Sequence, residues 1–273
     1  MAAKRGIPRA GMLRAAAVMV LLAGAAPGMA QEFDEKSALG QSRAAVGTQL
    51  SDHSLLTAAG ERITLSSYRG KPLLISLIYT SCHHTCPMMT SQLALAVDAA
   101  RKALGADSFN VLSIGFDTRN DTPDRMARFA AERGIDNSRW TFAAADPATV
   151  EALTRELGFT YFSSPRGFDH LAQTSVIDAD GVVHQQIYGE SIPQPAIVAP
   201  LKQLLWDLEA DPTTLSGWVK GVKLFCTVYD PKTGLYEFDY SIFIGIFIGV
   251  LALGSAAVFV IRAWRQTGRS RAA

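Results

Sequence analysis

The sequence predicts an α/β fold, a mixed sheet flanked by helices, followed by one transmembrane helix near the C-terminus. Three observations carry this. Between residues 73 and 157 short apolar runs alternate with segments of helical spacing, and a paired-strand pattern around Ala179-Asp180-Gly181 comes after them. Cys82 and Cys86 stand where the first of those runs gives way to the first helical segment. Ser241 to Ile261 carries no charge, over a length that crosses a bilayer core at helical rise.

The chain opens with Lys4, Arg5, Arg9 and Arg14 ahead of an apolar stretch, Ala15 to Ala26, and then the small residues of Gly28-Met29-Ala30. That is the pattern of a secretory signal peptide over residues 1–30. Residues 31–48 are polar and alanine-rich, and read as a flexible leader. The main domain spans residues 49–210. In it, Leu55-Leu56 and Ile63-Thr64-Leu65 flank Ala59-Gly60-Glu61 as a short hairpin. Leu73 to Tyr79 is an apolar run interrupted only by Ser76, the mark of a strand buried on both faces. Met89, Leu93, Ala96, Val97, Ala100 and Leu104 then recur at helical spacing, with Pro87 as first helical residue and Gly105 as terminator. Val111 to Phe116 is a second strand, and Thr122 caps a helix from Pro123 to about Glu132. Trp140 to Ala144 is a third strand, and Asp146 caps a helix from Pro147 to Leu157. Phe159 to Gln173 reads as irregular. Thr174 to Asp178 and Val182 to Tyr188 form a hairpin across Asp180-Gly181, and Pro195 to Leu208 a closing amphipathic helix.

Residues 211–239 are a juxtamembrane segment that holds Cys226. The membrane helix covers residues 240–262, with Gly245 and Gly249 spaced as a helix-packing face would have them. Arg262, Arg265, Arg269 and Arg271 follow, which keeps the tail, residues 263–273, in the cytoplasm. The expected arrangement is a single-pass protein of a bacterial inner membrane, anchored at its C-terminus, with the main domain in the periplasm. Net charge is +1 and the arginines cluster at the two ends, where targeting accounts for them, so nothing points to nucleic acid.

The chemistry lies in Tyr79-Thr80-Ser81-Cys82-His83-His84-Thr85-Cys86-Pro87. A bridge across three residues restrains the unfolded chain little, which argues against a purely structural disulfide. At a strand-to-helix junction the free amides and the helix dipole favour thiolate, with Cys86 at or next to the cap. Such a pair either exchanges disulfides or binds a soft metal. A dithiol at the first strand–helix turn of this α/β pattern makes a thioredoxin-like sheet the natural candidate.

Three motifs in order then resemble the Sco/SenC family of cytochrome c oxidase assembly proteins: Tyr79-Thr80-x-Cys82-x-x-x-Cys86-Pro87, Asp117-x-x-x-Asp121-Thr122-Pro123, and Asp169-His170 before the hairpin. The resemblance spans roughly residues 50 to 208. It implies a membrane-tethered thioredoxin-like fold that binds copper, as Cu(I) and Cu(II), through Cys82, Cys86 and His170. It also implies a metallochaperone that supplies the binuclear copper site of the copper-binding subunit of cytochrome c oxidase, with a periplasmic thiol reductant and a copper donor as further partners. Two thiolates and an imidazole form the soft, low-coordinate set that suits Cu(I). The rival readings are a thiol–disulfide oxidoreductase acting on the oxidase's copper-ligand cysteines, and a redox or copper sensor. His83 and His84 are accessory candidates as labile extra ligands. Asp117, Asp121 and Asp169 either orient His170, face the partner, or merely cap loops. Cys226 is an odd exported cysteine and a candidate for a mixed disulfide. His83-His84 and the C-terminal anchor depart from the family's usual pattern.

Overall fold

Leu73–Ile78 (β3) is buried at every position, and the rest of the fold is laid out to cover it. In the computed structural model, residues 33–82, 85–135, 139–165, 167–209, 214–230 and 235–270 are described; the expected signal peptide and His83-His84 lie outside them. A helix, Glu35–Ala44 (α1), precedes a hairpin of Ser54–Thr57 (β1) and Arg62–Thr64 (β2) and a single 3-10 turn, Leu65–Tyr68. After β3 come Thr85–Leu104 (α2), Asn110–Gly115 (β4), Pro123–Ala131 (α3), Thr141–Ala144 (β5) and Pro147–Glu156 (α4). Tyr161–Ser164 (β6) and Gly167–His170 (β7) form a small separate hairpin. Gln173–Ile177 (β8), Val183–Tyr188 (β9) and Gln194–Glu209 (α5) complete the domain.

The main sheet has seven strands in the order β2-β1-β5-β4-β3-β8-β9. β3, β4 and β5 run parallel, and β1 and β8 flank them antiparallel. Parallel neighbours need helical crossovers, which α2 and α3 supply. α2 packs against α5, and Leu93, Ala96, Val97 and Ala100 meet Ile197, Val198 and Leu201 in one core. This is the mixed, helix-flanked sheet that the sequence predicts. Capping follows the predicted chemistry: the Thr122 hydroxyl accepts the Arg125 N–H, and the Asp146 carboxylate accepts those of Ala148 and Thr149.

Three stretches differ from expectation. The stretch expected to be a flexible leader contains α1, capped by Asp34 and docked through Ala38 and Ser42. The Ser42 hydroxyl donates to Gln173 at 2.7 Å, and Gln173 in turn donates to the Leu157 carbonyl. The irregular stretch after residue 159 contains β6 and β7. The juxtamembrane segment is ordered as a helix, Leu215–Cys226 (α6), and a hairpin, Thr227–Asp230 (β10) with Leu235–Phe238 (β11). Beyond it Ser241–Ser270 (α7) is one helix, of which Ser241–Arg262 is long and apolar enough to cross a membrane, at a mean hydropathy of 2.6 with none of it buried against the protein.

Candidate functional site

The site forms where β3 and β4 end side by side. Beyond β3, Tyr79 is buried and Thr80 turns the chain. The Thr80 N–H and hydroxyl both donate to Asp121 Oδ1, at 2.8 and 2.7 Å, while the Asp117 N–H donates to Asp121 Oδ2 at 2.9 Å. Asp121 therefore ties the cysteine loop to the loop after β4. Gly115 makes room for it, since a Cβ there would lie 2.4 Å from the Asp121 Cβ. Of the roles open to the three aspartates, Asp121 takes loop capping. Asp117 Oδ2 accepts from the Asn120 amide at 2.7 Å, holding the same loop. Asp169, on β7, is the acid next to His170 in sequence, and its charge favours the protonated imidazole.

Burial pushes the Asp121 carboxyl up, against the bonds from Thr80 and Asp117 that lower it. A raised folded value means stability that is fully present below the unfolded value and falls as pH rises through the folded one. Asp121→Asn keeps one oxygen but turns an NH2 toward a donor. We expect it to destabilise the fold by roughly 1–3 kcal/mol, the cost of a buried polar group left without a partner. That deficit should be largest in mild acid and shrink toward neutrality. Denaturant melts of both proteins at pH 4 to 7 check this, and a deficit that grows with pH contradicts it.

The two cysteines differ more than their spacing suggests. Cys86 lies in the first described turn of α2 and is only 2% exposed. Burial pushes its thiol well up, the reverse of the thiolate expected there from the helix dipole. The Cys86 N–H instead points at Cys82 Sγ, 3.3 Å away, so the first-turn amide that would favour an anion serves Cys82. Cys82 is partly exposed, whereas Cys86 is buried. The pair thus has an accessible sulfur and a shielded one.

His170 ends β7, paired with Tyr161. Its ring stands in an aromatic enclosure, 5.2 Å from Phe159, 5.5 Å from Phe116 and 6.0 Å from Tyr79. Burial lowers its pKa, which keeps the imidazole neutral. Nδ1 lies 2.8 Å from the Leu171 carbonyl, which only accepts, so Nδ1 carries the proton and Nε2 keeps its lone pair. That is the tautomer a metal ligand needs. Sequence reasoning overlooked Tyr79, which joins the cysteine loop to the hairpin carrying His170: its carbonyl accepts the Cys82 N–H at 3.2 Å, and its ring, hydroxyl toward Gly167, packs edge-on against Phe168 at 5.2 Å. Gly167, at φ +121°, leaves space for it, because a Cβ there would meet that hydroxyl at 2.9 Å.

The structure therefore brings Cys82 and Cys86 together and places His170 across Tyr79 from them. Among the described residues, no three His, Cys, Asp or Glu side chains converge as a preformed metal-holding group. Cys226 is not part of this loop. It ends α6, buried, with the Lys202 ammonium in its electrostatic reach.

Comparison with known proteins places this geometry. The SCO1/SenC family model matches residues 42–205, more than half of the chain. The chain belongs to the SCO1/SenC family. An SCO1 protein homolog from Bacillus subtilis is 27% identical over 150 residues, which is 52% of this chain and 76% of that one. Among solved structures, a protein from Aquifex aeolicus is 27% identical with a TM-score of 0.54, covering 57% of this chain and 92% of its own. BsSco, described as a member of the Sco family of cytochrome c oxidase assembly proteins and as carrying a disulfide switch, is 21% identical at a TM-score of 0.50, covering 58% and 94%. Yeast Sco1 with copper bound is 18% identical, also at 0.50, covering 63% and 98%. The last two show the shared fold. With these relatives the predicted thioredoxin-like class holds, and so does the single C-terminal helix able to span a membrane. The Tyr79–Pro87, Asp117–Pro123 and Asp169-His170 motifs all fall inside the matched range.

Proposed function

We propose that this SCO1/SenC protein is a membrane-tethered copper metallochaperone for cytochrome c oxidase, holding copper through Cys82, Cys86 and His170. The observation that carries the reading is the pairing of two adjacent thiols with a neutral imidazole whose Nε2 is free to ligate, on two loops joined by one tyrosine. Two sulfurs and a nitrogen are a donor set that Cu(I) accepts in low coordination. The copper held by yeast Sco1 and the oxidase-assembly role of the BsSco family support the same cargo and the same destination. Closure of the cysteine loop toward β7 would bring the three donors onto one ion, and an ion held by three ligands leaves a position open for an entering ligand of the target. His83 and His84, which stand between the two cysteines in sequence, are candidates for one labile extra ligand.

A strain lacking the protein should lose cytochrome oxidase activity at low copper and regain part of it when copper is added. Unchanged oxidase activity at limiting copper contradicts the proposal. A second reading, a thiol–disulfide reductase that keeps the oxidase's ligand cysteines reduced, draws on the asymmetry between a partly exposed Cys82 and a buried Cys86.

The anchor reading places residues 31–239 in the periplasm and the arginine-rich tail in the cytoplasm, after cleavage of a signal peptide. A reporter that works only in the cytoplasm, fused after Ala273, should be active. A reporter there that is active only in the periplasm reverses the orientation.

A further inference from the structure

The segment between the copper-site domain and the apolar helix carries a surface that no role above uses. In α6 the side chains of Leu215, Trp218, Val219 and Phe225 recur at helical spacing on one face, and they are 80, 58, 54 and 62% exposed. Leu224, on the opposite face, is buried against the domain. A water-facing helix would carry the reverse pattern, and a soluble surface seldom leaves so continuous an apolar stripe uncovered. The helix has no acidic residue; of its two charges Lys223 borders the stripe and Lys220 lies further round, away from it.

Two further observations say what covers this stripe. The Asp239 N–H donates to the Cys226 carbonyl at 2.7 Å, so the end of α6 is fastened two residues before α7 begins. An apolar groove of about 370 Å³ also runs between the two helices, lined by Trp206, Trp218, Val222 and Phe225 on one side and by Ile242 and Ile246 of α7 on the other. The stripe of α6 is thus continuous with the outer face of the span. Aromatic rings gather at the same level, Phe238 lying 4.8 Å from Tyr240 and 5.9 Å from Phe243, as at a membrane–water boundary.

We propose that α6 is an interfacial helix. It seats its Leu215–Trp218–Val219–Phe225 face in the bilayer at the level of the glycerol backbone, on the side from which α7 enters, with Lys223 toward lipid phosphates. This rests on α7 being inserted. Its consequence is that the domain is held against the membrane by a second element rather than hung from a single hinge. Because α6 packs on α5, α5 on α2, and the β11 strand also on α2, the helix that carries Cys86 is then fixed in orientation to the lipid surface.

The test uses the full chain in phosphatidylcholine–phosphatidylglycerol vesicles whose acyl chains carry bromine either close to the headgroup or deep. Trp140 is buried in the core and serves as the unquenched baseline. Trp206→Phe with Trp264→Phe leaves Trp218 as reporter of α6; Trp206→Phe with Trp218→Phe leaves Trp264, beyond the apolar span, as reporter of insertion. Expected is a Trp218 emission roughly halved by shallow bromine and less affected by deep bromine, with Trp264 also quenched. A quenched Trp264 beside an unquenched Trp218 overturns the proposal and leaves the anchor standing. Red-shifted Trp218 emission would then mean water on that face, and blue-shifted emission a protein partner. Quenching of Trp218 alone removes the anchor and with it the proposed arrangement, since the helix would then meet lipid without an inserted α7. Quenching of neither removes both.

Discussion

Cys82→Ala or Cys86→Ala is expected to abolish tight Cu(I) binding. On the proposed assignment a soft monovalent ion would be held by two sulfurs in a short loop, and one remaining thiolate with one imidazole is a different and weaker donor set. Loss of a residue that merely orients a ligand typically costs about ten- to a hundredfold in metal affinity, and loss of a ligating sulfur should exceed the upper end of that range. The effect should not come from unfolding. Cys86 is buried, but its side chain is small, so the cavity left by alanine is smaller than any left by truncating a leucine. Cys82→Ala removes the sulfur that accepts the Cys86 N–H at the start of α2, comparable to losing an N-cap, about 1 kcal/mol. Competition of each variant against a Cu(I) chelator, alongside thermal melts, separates binding from stability. Wild-type copper retention in either single variant would show that the pair does not hold the ion.

The part of this site that was legible in the sequence is the part written in spacing. The alternation of apolar runs and helical segments led to β3, α2 and β4, because buried parallel strands are nearly continuous apolar runs, and the turn at Asp180-Gly181 led to the hairpin of β8 and β9. Cys82 and Cys86 were located by the same logic. Their difference was not, because the burial of Cys86 and the aim of its N–H at Cys82 are set by packing around the helix start, which spacing does not encode. α1 escaped notice for another reason. Only Ala38 and Ser42 are buried along it, and it docks through the polar contact of Ser42 with Gln173, so it carries no hydrophobic period. β6 and β7 are four residues each and half-buried, broken by Pro165 and Gly167, and offer neither alternation nor length. The surroundings of His170 went unseen for that reason, although its candidacy as a ligand was clear. Tyr79 stood in the motif from the start, but a ring that joins two loops distant in sequence belongs to tertiary structure.

His170→Ala is expected to fail in restoring oxidase activity while leaving the dithiol intact, and this outcome decides between the two fates of the same thiols. Cys82 and Cys86 can lose two electrons and two protons to an oxidant and close to a disulfide, and in that form neither sulfur can hold copper. On the copper-carrier proposal, loading would therefore follow reduction, and bound copper would protect the pair. A reductase needs only the exposed Cys82 to attack and the buried Cys86 to resolve the mixed disulfide; the imidazole has no part in that exchange. A copper carrier needs the imidazole, most of all for Cu(II), which prefers nitrogen to a second soft donor. The substitution leaves the cysteine loop's own ties untouched, since Asp121 holds Thr80 and the Cys86 amide holds Cys82 independently of His170. Thiol titration of His170→Ala should thus return the wild-type count, with Cu(II) binding weakened more than Cu(I) binding and oxidase activity at low copper near that of the deletion strain. If His170→Ala restores the oxidase fully while Cys82→Ala does not, the imidazole is dispensable, copper delivery through this residue is wrong, and thiol reduction is what the pair is for.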